Sequence, residues 1–391
     1  MDFLKKFKND PVLYAAWTLA FISAFFVRPD KSYLDYIDFR SLGILWALMV
    51  VIQGLKENSV FEKIGQLLMN KVDMTWQLCA ALIFMCFFGS MLITNDVALI
   101  TFVPFGMLVL KSCKREDLMI PVIVFQTIAA NLGSMSTPIG NPQNLYLYGT
   151  TGMSLIDFVS YMLPYTIAAA LLLIACLFII PKKNETVQVD SGLSVVTKFG
   201  SKIQIIIYGA LFVLALLSVL RVLPWYIMAI IVLVVVGGMD FKILFRADYL
   251  LLLTFIGFFI FTGNMARIPS FKEFLGGVTS GREFTVAVIA SQFISNVPAT
   301  LMLSGFATNF KELLIGVNAG GLGTLIASMA SLISFKFYTA SYKEKQSSYI
   351  LYFTIANVVF LLVFVALHLF RTMSYSITIS TVFQALRAWR A

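Results

Sequence analysis

The sequence predicts an all-α polytopic membrane protein that contains two inverted-topology repeats. Of its 391 residues, 59% are hydrophobic and only 13% are charged, and the mean hydropathy is +0.88. Apolar segments of membrane-spanning length recur along the chain, which is typical of an integral membrane protein and not of a soluble core. Polar interruptions of these segments recur in the same order in both halves. From the segment lengths we expect about nine to eleven spans.

The charges and cysteines argue against several other classes of protein. The net charge is +9, but Lys and Arg stand in short loops between apolar runs. That placement is a membrane-topology signal and does not indicate a nucleic-acid partner. With the N-terminus inside and the C-terminus outside, the inner loops carry the larger positive charge, as expected in a bacterial or archaeal cytoplasmic membrane. The four cysteines form no CxxC pair, so neither a disulfide framework nor a zinc site is predicted.

The chain divides into five segments. An N-terminal helix and an outer loop occupy residues 1–40, and the first repeat follows at 41–181. The most polar internal stretch, 182–202, is predicted to be a cytoplasmic linker between the halves. The second repeat occupies 203–370, and a C-terminal tail occupies 371–391.

Three pairs of similar segments indicate the internal repeat. All three pairs keep the same order in both halves, so the matches support one another although each is weak alone. The pairs are VFEKIG (60–65) with SFKEFLGG (270–277), ITNDVALITFVP (93–104) with ISNVPATLMLSG (294–305), and AANLGSMS (129–136) with NAGGLGTLIASMAS (318–331). Inverted repeats are common in secondary transporters, where they place a binding site near the membrane midplane.

Each repeat is predicted to contain a re-entrant helical hairpin. The hairpin at 284–308 has two arms of about 13 residues, and each arm rises ~20 Å against the ~30 Å of the hydrocarbon core. It therefore enters the membrane and returns to the same side. The corresponding segment at about 75–110 is longer, and its length alone also permits a full span. We interpret it as a hairpin by analogy with its partner.

Each repeat also contains a helix that is predicted to be broken. In the first, at 118–150, Pro138, Pro142 and two glycines disfavour a continuous helix. The second broken helix lies at 313–334. Backbone groups that a break frees inside a membrane must be satisfied by protein or by a watery cavity, so such breaks mark candidate binding sites.

Small polar side chains at the hairpin tips and in the breaks are the candidate site residues. Helix N-termini, amides and hydroxyls can bind an anion, and released carbonyls can hold Na⁺. The candidates for substrate binding are Thr94, Asn95, Ser136, Thr137, Asn141, Asn144, Ser295, Asn296, Thr300 and Thr324. The candidates for ion binding are Asn95, Asp96, Gly133, Ser136, Asn296, Ser328 and Ser331. No catalytic residue and no metal site is predicted.

Asp96 is the one carboxylate predicted inside a hairpin. A charged Asp in hydrocarbon is costly unless it is paired, hydrated or protonated, so Asp96 is a candidate for cation binding or proton transfer. The alternative is that it caps the second arm of the hairpin. We expect Asp157 and Asp248 at helix ends and the lone His368 at the membrane interface.

The segments ITNDVALITFVP, ANLGSMSTPIGNPQN and ISNVPATLML together resemble the ion transporter superfamily, which includes arsenite permeases, divalent anion:sodium symporters and citrate carriers. The similarity extends from about residue 41 to 335. In the divalent-anion branch, each hairpin tip carries a Ser-Asn-Thr signature that binds substrate carboxylate and helps to form a sodium site. Here the tips read Thr94-Asn95-Asp96 and Ser295-Asn296-Val297, so the Asn is present twice and the closing Thr is absent.

Two further details are more similar to arsenite permeases and Na⁺/H⁺ antiporters than to the divalent-anion branch. One is the Asn95-Asp96 pair. The other is the Gly-Asn-Pro-x-Asn run at 140–144, in which Asn141 stands where those relatives have an acid. The resemblance also implies a homodimer with an elevator-type motion.

We therefore expect a secondary active transporter for a small anion, either a carboxylate or an inorganic oxyanion, coupled to Na⁺ or H⁺. Neutral oxygen ligands favour Na⁺, and Asp96 favours H⁺. One alternative is a Na⁺/H⁺ antiporter that uses Asp96. A membrane-embedded enzyme is the remote alternative, because the chain has one His and neither HExxH nor GxSxG. The expected partners are the anion, membrane lipid and a second copy of the chain, with no cofactor besides the coupling ion.

Overall fold

The computed structural model describes residues 10–69, 72–181, 183–187 and 200–390, with side chains up to residue 373. Within these ranges the chain is helical and contains no β-strand. Of the predicted linker, residues 182 and 188–199 lie outside the described part of the chain. The predicted all-α fold is confirmed.

Both halves contain long and short helices. The first half contains α1 (Pro11–Phe26), α2 (Ser32–Asp35), α3 (Phe39–Glu57), α4 (Val60–Met69), α5 (Thr75–Ile93), α6 (Asn95–Ser112), α7 (Met119–Ser134), α8 (Pro142–Thr151) and α9 (Leu155–Leu177). The second half contains α10 (Lys202–Val219), α11 (Trp225–Leu244), α12 (Tyr249–Ala266), α13 (Pro269–Thr279), α14 (Glu283–Ile294), α15 (Asn296–Ser304), α16 (Phe310–Ala319), α17 (Met329–Ser341) and α18 (Gln346–Arg390). α18 thus continues through most of the segment predicted as a tail.

Nine helices among the described residues are long and apolar enough to cross a membrane. They are α3, α5, α6, α9, α10, α11, α12, and, each together with the short 3-10 turn before it, α7 (Glu116–Ser134) and α18 up to Met373 (Lys343–Met373). This number agrees with the predicted polytopic architecture. α5 and α6, the two arms of the first hairpin, are among the nine, so length alone does not decide whether they cross.

Aspartates are the N-cap residues of the equivalent helices α3 and α12. Asp38 Oδ1 accepts a hydrogen bond from Ser41 N (3.0 Å), and Asp248 Oδ1 accepts one from Leu251 N (3.2 Å). Each carboxylate satisfies an amide that has no partner within the helix. Asp157 lies in the first turn of α9, where Ser154 is the N-cap. The expectation that Asp157 and Asp248 lie at helix ends is confirmed.

Both hairpins turn at a single residue. Thr94 joins α5 to α6 with φ 72° and ψ 152°, and Ser295 joins α14 to α15 with φ 71° and ψ 154°. This backbone region is nearly restricted to glycine, and it costs a residue with a side chain about 1–3 kcal/mol. The same unfavourable conformation at equivalent positions shows that the two hairpins have the same construction.

The hairpin tips contact the breaks of the interrupted helices. The Asn95 amide N donates to Gly140 O (3.0 Å) between α7 and α8, and the Asn296 amide N donates to Ala327 O (2.9 Å) between α16 and α17. Both tips are buried in protein; Asn95 and Asn296 are each 5% exposed. Both tips therefore lie in the interior of the protein, and whether the arms of the first hairpin cross the membrane stays a prediction.

Helices of one half pack against helices of the other half in reciprocal pairs. α17 packs against α6 and α15 packs against α8, so the second part of each broken helix lies on the opposite hairpin. In the same way, α1 packs against α12 and α11 packs against α3. Such reciprocal contacts are what inverted repeats produce. We call α5–α9 with α14–α18 the core group, and α1, α3 and α10–α12 the peripheral group.

His368, predicted at the membrane interface near the end of the last helix, is buried within the protein. Its side chain is 5% exposed, and its ring stacks on Phe284 with the centroids 3.8 Å apart. Its Nε2 is 3.0 Å from Glu312 Oε2, and its Nδ1 is 3.1 Å from Tyr165 Oη. Packing of α18 near the start of the second hairpin buries this residue, and the hydropathy of α18 alone does not show it.

Candidate functional site

Asn131 and Asn318 lie at the centre of the core group, at equivalent positions near the ends of α7 and α16. Each uses its amide to bind the other repeat. Asn131 Oδ1 accepts a hydrogen bond from Ser328 Oγ (3.0 Å), and its Nδ2 donates to Ser331 Oγ (3.4 Å). The same Oδ1 also accepts from Asn95 Nδ2 (3.1 Å), which attaches the first hairpin tip.

Asn318 makes the reciprocal bonds. Its Oδ1 accepts from Asn141 Nδ2 (3.1 Å), and its Nδ2 donates to Asn144 Oδ1 (2.7 Å). Asn141 precedes α8 as Ser328 precedes α17, and Asn144 and Ser331 each follow three residues later. The two asparagines thus hold equivalent partners in the opposite repeat.

Four helices begin at this centre: α6, α8, α15 and α17. A helix N-terminus carries a partial positive charge of about half a unit and several free N–H groups. Among the described residues, the network between Asn131 and Asn318 contains amide and hydroxyl side chains and no Lys, Arg or His. The arrangement can therefore attract an anion through helix ends and neutral donors.

The sequence interpretation did not include Asn131 and Asn318 among the site residues. The signal that identifies them is an Asn-x-Gly triplet in both breaks, Asn131 to Gly133 and Asn318 to Gly320. A Cβ at Gly133 would clash with the backbone carbonyl of Phe87, and one at Gly320 would lie 2.7 Å from Ser291 Oγ. Both glycines let the first hairpin arm approach the broken helix closely.

Several predicted site residues donate their hydroxyl hydrogen bonds to backbone carbonyl oxygens. Ser136 Oγ donates to Gly133 O (2.7 Å), and Thr300 Oγ1 donates to Asn296 O (2.7 Å). Thr137 Oγ1 donates to Met91 O (2.6 Å) and Thr324 Oγ1 to Gln292 O (3.0 Å), so each attaches a break to its own hairpin.

The structure brings only part of the predicted set together. The residues that meet in the central network are Asn95, Asn141, Asn144, Ser328 and Ser331. Thr324 is exposed and lies outside this network, and Thr137 bonds to the first hairpin arm instead. Thr94 and Ser295 contribute the turns of the two hairpins.

Three polar side chains at the tips have no hydrogen-bond partner among the described residues: those of Thr94, Asp96 and Asn296. Asn296 is the equivalent of Asn95, which in contrast donates to Asn131. The N-cap position of α6 belongs to Thr94, and no described amide donates to the Asp96 carboxylate. Asp96 is therefore not the N-cap that the sequence left as an alternative.

Asp96 faces a small cavity of about 40 Å³. The cavity lies between the core group and the peripheral group, and Asp10, Asp248, Thr254 and Val297 also line it. Asp10 and Asp248 are the N-caps of α1 and α12. Three carboxylates around one cavity favour a cation over an anion at this position.

The chain matches the family model described as citrate transporter over residues 8–312. It is 33% identical over 302 residues to an uncharacterized transporter of Methanocaldococcus jannaschii, which covers 77% of this chain and 81% of the relative. It is 28% identical over 347 residues to the inner membrane protein YbiR of Escherichia coli, which covers 86% of this chain and 90% of the relative.

A shorter part of the chain is similar to a plant protein. The silicon efflux transporter LSI3 of Oryza sativa is 31% identical over 156 residues, which is 39% of this chain and 31% of the relative. The family match covers well over half of the chain, and it agrees with the membrane-spanning helices and with the superfamily motifs at both hairpin tips. The chain therefore belongs to the citrate transporter family, a family of integral membrane transporters within the ion transporter superfamily.

Proposed function

We propose that the protein is a secondary active transporter that moves a small anion, a carboxylate or an inorganic oxyanion, and couples this movement to Na⁺ or H⁺. The observation that carries the proposal is the reciprocal network of Asn131 and Asn318, where the first hairpin tip and both broken helices meet. The second tip lies beside it, since the Asn296 amide N donates to Ala327 O next to Ser328. Four helix N-termini and neutral donors at one buried point suit an anion.

The anion contacts the second hairpin tip in this proposal. Asn296 has a free amide, whereas the amide of Asn95 is already bound to Asn131. The two tips therefore differ in function although they have the same backbone. Asn141, Asn144, Ser328 and Ser331 complete the site, and their bonds to the central asparagines have to rearrange when a ligand enters.

The coupling cation enters through the cavity at Asp96. Its carboxylate has no described partner, and an uncompensated charge inside a membrane protein is costly. Either Na⁺ or a proton removes that cost. The neutral oxygens of the nearby breaks favour Na⁺, as many sodium sites are built from carbonyl and hydroxyl oxygens at broken helices.

The transport movement is an elevator-type displacement of the core group against the peripheral group, in a homodimer of the bacterial or archaeal cytoplasmic membrane with the N-terminus inside. The described contacts between the groups include α12 with α15 and α3 with α8, again as a reciprocal pair. Reciprocal contacts of this kind support two alternative arrangements that expose the site to opposite sides.

A Na⁺/H⁺ antiporter is the second candidate. The cavity favours it, because Asp96 shares that space with Asp10 and Asp248 and with no described basic side chain. An antiporter would respond to Na⁺ and pH without any organic or inorganic anion. Asp96→Asn would then abolish transport completely.

The test is thermal stability of the purified protein with a panel of anions, each as the sodium and the choline salt. The panel includes citrate, after the family description, and silicate, after the plant relative. A ligand that binds the folded state raises the melting temperature. An anion-specific rise that requires sodium supports the symporter, whereas a sodium response that depends on pH and needs no anion supports the antiporter.

Asn296→Ala should abolish the anion-dependent rise while the protein stays folded. The matched control is Asn357→Ala, which removes a buried asparagine of α18 whose amide bonds to Phe353 O within the same helix. If Asn296→Ala bound the anion as the native protein does, the substrate would not be at the second tip.

A further inference from the structure

Gln143 is the second residue of α8, and its amide has no partner. The side chain is 1% exposed, and neither Nε2 nor Oε1 has a hydrogen-bond partner among the described residues. The neighbouring amides differ in this respect, because Asn141 and Asn144 both bind Asn318. Gln143 thus lies between two residues of the central network and takes no described hydrogen bond from it.

A buried amide without a partner destabilises a folded protein, because it has lost its hydrogen bonds to water and gained none. Such groups are rare and require an explanation. The fold does not require an amide here: Asn141 and Asn144 correspond to Ser328 and Ser331, so Gln143 corresponds to Ala330. The second repeat thus forms the same structure with a methyl group at this position.

Gln143 is buried in the first turn of a helix that contacts both the core group and the peripheral group. α8 begins at the first break and packs against α3, α15 and α16. α15 begins at Asn296, the tip residue with the free amide, and α16 carries Asn318 near its end. The buried Gln143 side chain thus lies on a helix that packs against two helices of the proposed anion site, α15 and α16.

The chemistry of the amide limits which ligand can satisfy it. Nε2 can donate two hydrogen bonds, and Oε1 can accept hydrogen bonds from other donors. An anion that presents only oxyanion oxygens satisfies Nε2 and leaves Oε1 unpaired. An anion that also carries a hydroxyl group satisfies both atoms.

We propose that Gln143 is a specificity-determining residue that recognises an anion bearing a hydroxyl group beside an oxyanion. Nε2 donates to the oxyanion, and Oε1 accepts from the hydroxyl. This inference rests on the proposed anion transport and narrows its substrate class to hydroxycarboxylates or hydroxyl-bearing oxyanions. It also assigns to the first repeat a recognition element that the second repeat lacks.

The test compares anions that differ in one hydroxyl group: citrate with tricarballylate, malate with succinate, and hydrogen phosphate with sulfate. Dissociation constants are obtained from the rise in melting temperature with anion concentration in sodium buffer. The native protein should bind the hydroxyl-bearing member of at least one pair about fivefold to tenfold more tightly, as one additional buried hydrogen bond provides. Gln143→Met should reduce this ratio to about one, because methionine keeps the volume and removes both polar atoms.

Stability without ligand is the second measurement, and Gln126→Met is its matched control. Gln126 is also fully buried, but its Nε2 donates to Leu82 O (3.2 Å) and Phe102 O (3.1 Å). Gln126→Met should lower the melting temperature and keep the selectivity ratio. Gln143→Met should leave the melting temperature unchanged or raise it, because it removes no described hydrogen bond.

The possible results separate this inference from the proposed function. If the native protein binds both members of every pair equally, or if Gln143→Met keeps the ratio, the assignment of Gln143 is wrong while anion transport stands. If Gln143→Met loses only the sodium requirement, Oε1 is a sodium ligand and the hydroxyl assignment is likewise wrong. If none of the six anions binds, both the inference and the proposal for these anions fail.

Discussion

Replacing Asn318 with alanine removes the amide that attaches α16 to the first broken helix. Asn141 Nδ2 would lose one partner and keep Ser134 Oγ at 3.2 Å, which costs about 1 kcal/mol. Asn144 Oδ1 would lose the Nδ2 donor at 2.7 Å and stay buried without a described partner, which costs roughly 1–3 kcal/mol. The expected loss in the free energy of unfolding is therefore about 2–4 kcal/mol.

A double-mutant cycle checks the origin of this loss. Asn318→Ala, Asn144→Ala and the double variant are unfolded reversibly in mixed detergent and SDS micelles, with tryptophan fluorescence as the signal. The two substitutions should show a coupling free energy of about 1–2 kcal/mol, because they remove the same hydrogen bond. Asn318→Ala combined with Asn357→Ala should instead be additive within about 0.5 kcal/mol. Additivity of Asn318 and Asn144 would refute the reciprocal network.

The remaining predictions concern backbone and charge. Gly133→Ala should lower the melting temperature, because the new Cβ clashes with the Phe87 carbonyl, whereas Gly238→Ala, with open space around its Cβ position, should leave it unchanged or raise it. Ser295→Gly should not destabilise the protein, because glycine adopts φ 71° without strain, and Ser295→Val should destabilise it; equal losses would contradict the strained turn. The Arg267 guanidinium lowers the pKa of Asp30. This contribution to stability is complete above about pH 4 and is lost as the pH falls, so Asp30→Asn should reduce the acid-side decrease in melting temperature, as a pH series will show.

Local sequence was sufficient to locate the tips of both hairpins. The triplets at Thr94 and Ser295 interrupt apolar arms, and a polar interruption in a membrane segment has to lie at a turn or in a site. It was also sufficient for the breaks, because Pro138 and Pro142 cannot continue a helix with complete hydrogen bonding. In both cases the determining residues lie within a few positions of the feature they produce.

Hydrogen bonds between residues that are distant in the chain could not be predicted from local sequence. Asn131 and Asn318 were present in the segments that revealed the repeat, but their bonds join opposite repeats and depend on how α7 and α16 pack. The same holds for Thr324, which the structure places on an exposed edge, and for His368, which α18 carries into the interior.

Composition and local pattern thus determined the membrane location, the repeated architecture, the two hairpins and the two breaks, because hydropathy and backbone propensity depend on neighbouring residues. Only the tertiary structure decided which amides are bound and which remain free. Asn95 and Asn296 show this most clearly, since they occupy equivalent tips, and only Asn95 donates to a central asparagine. Free and bound amides are chemically the same in a sequence, and a packed partner distinguishes them.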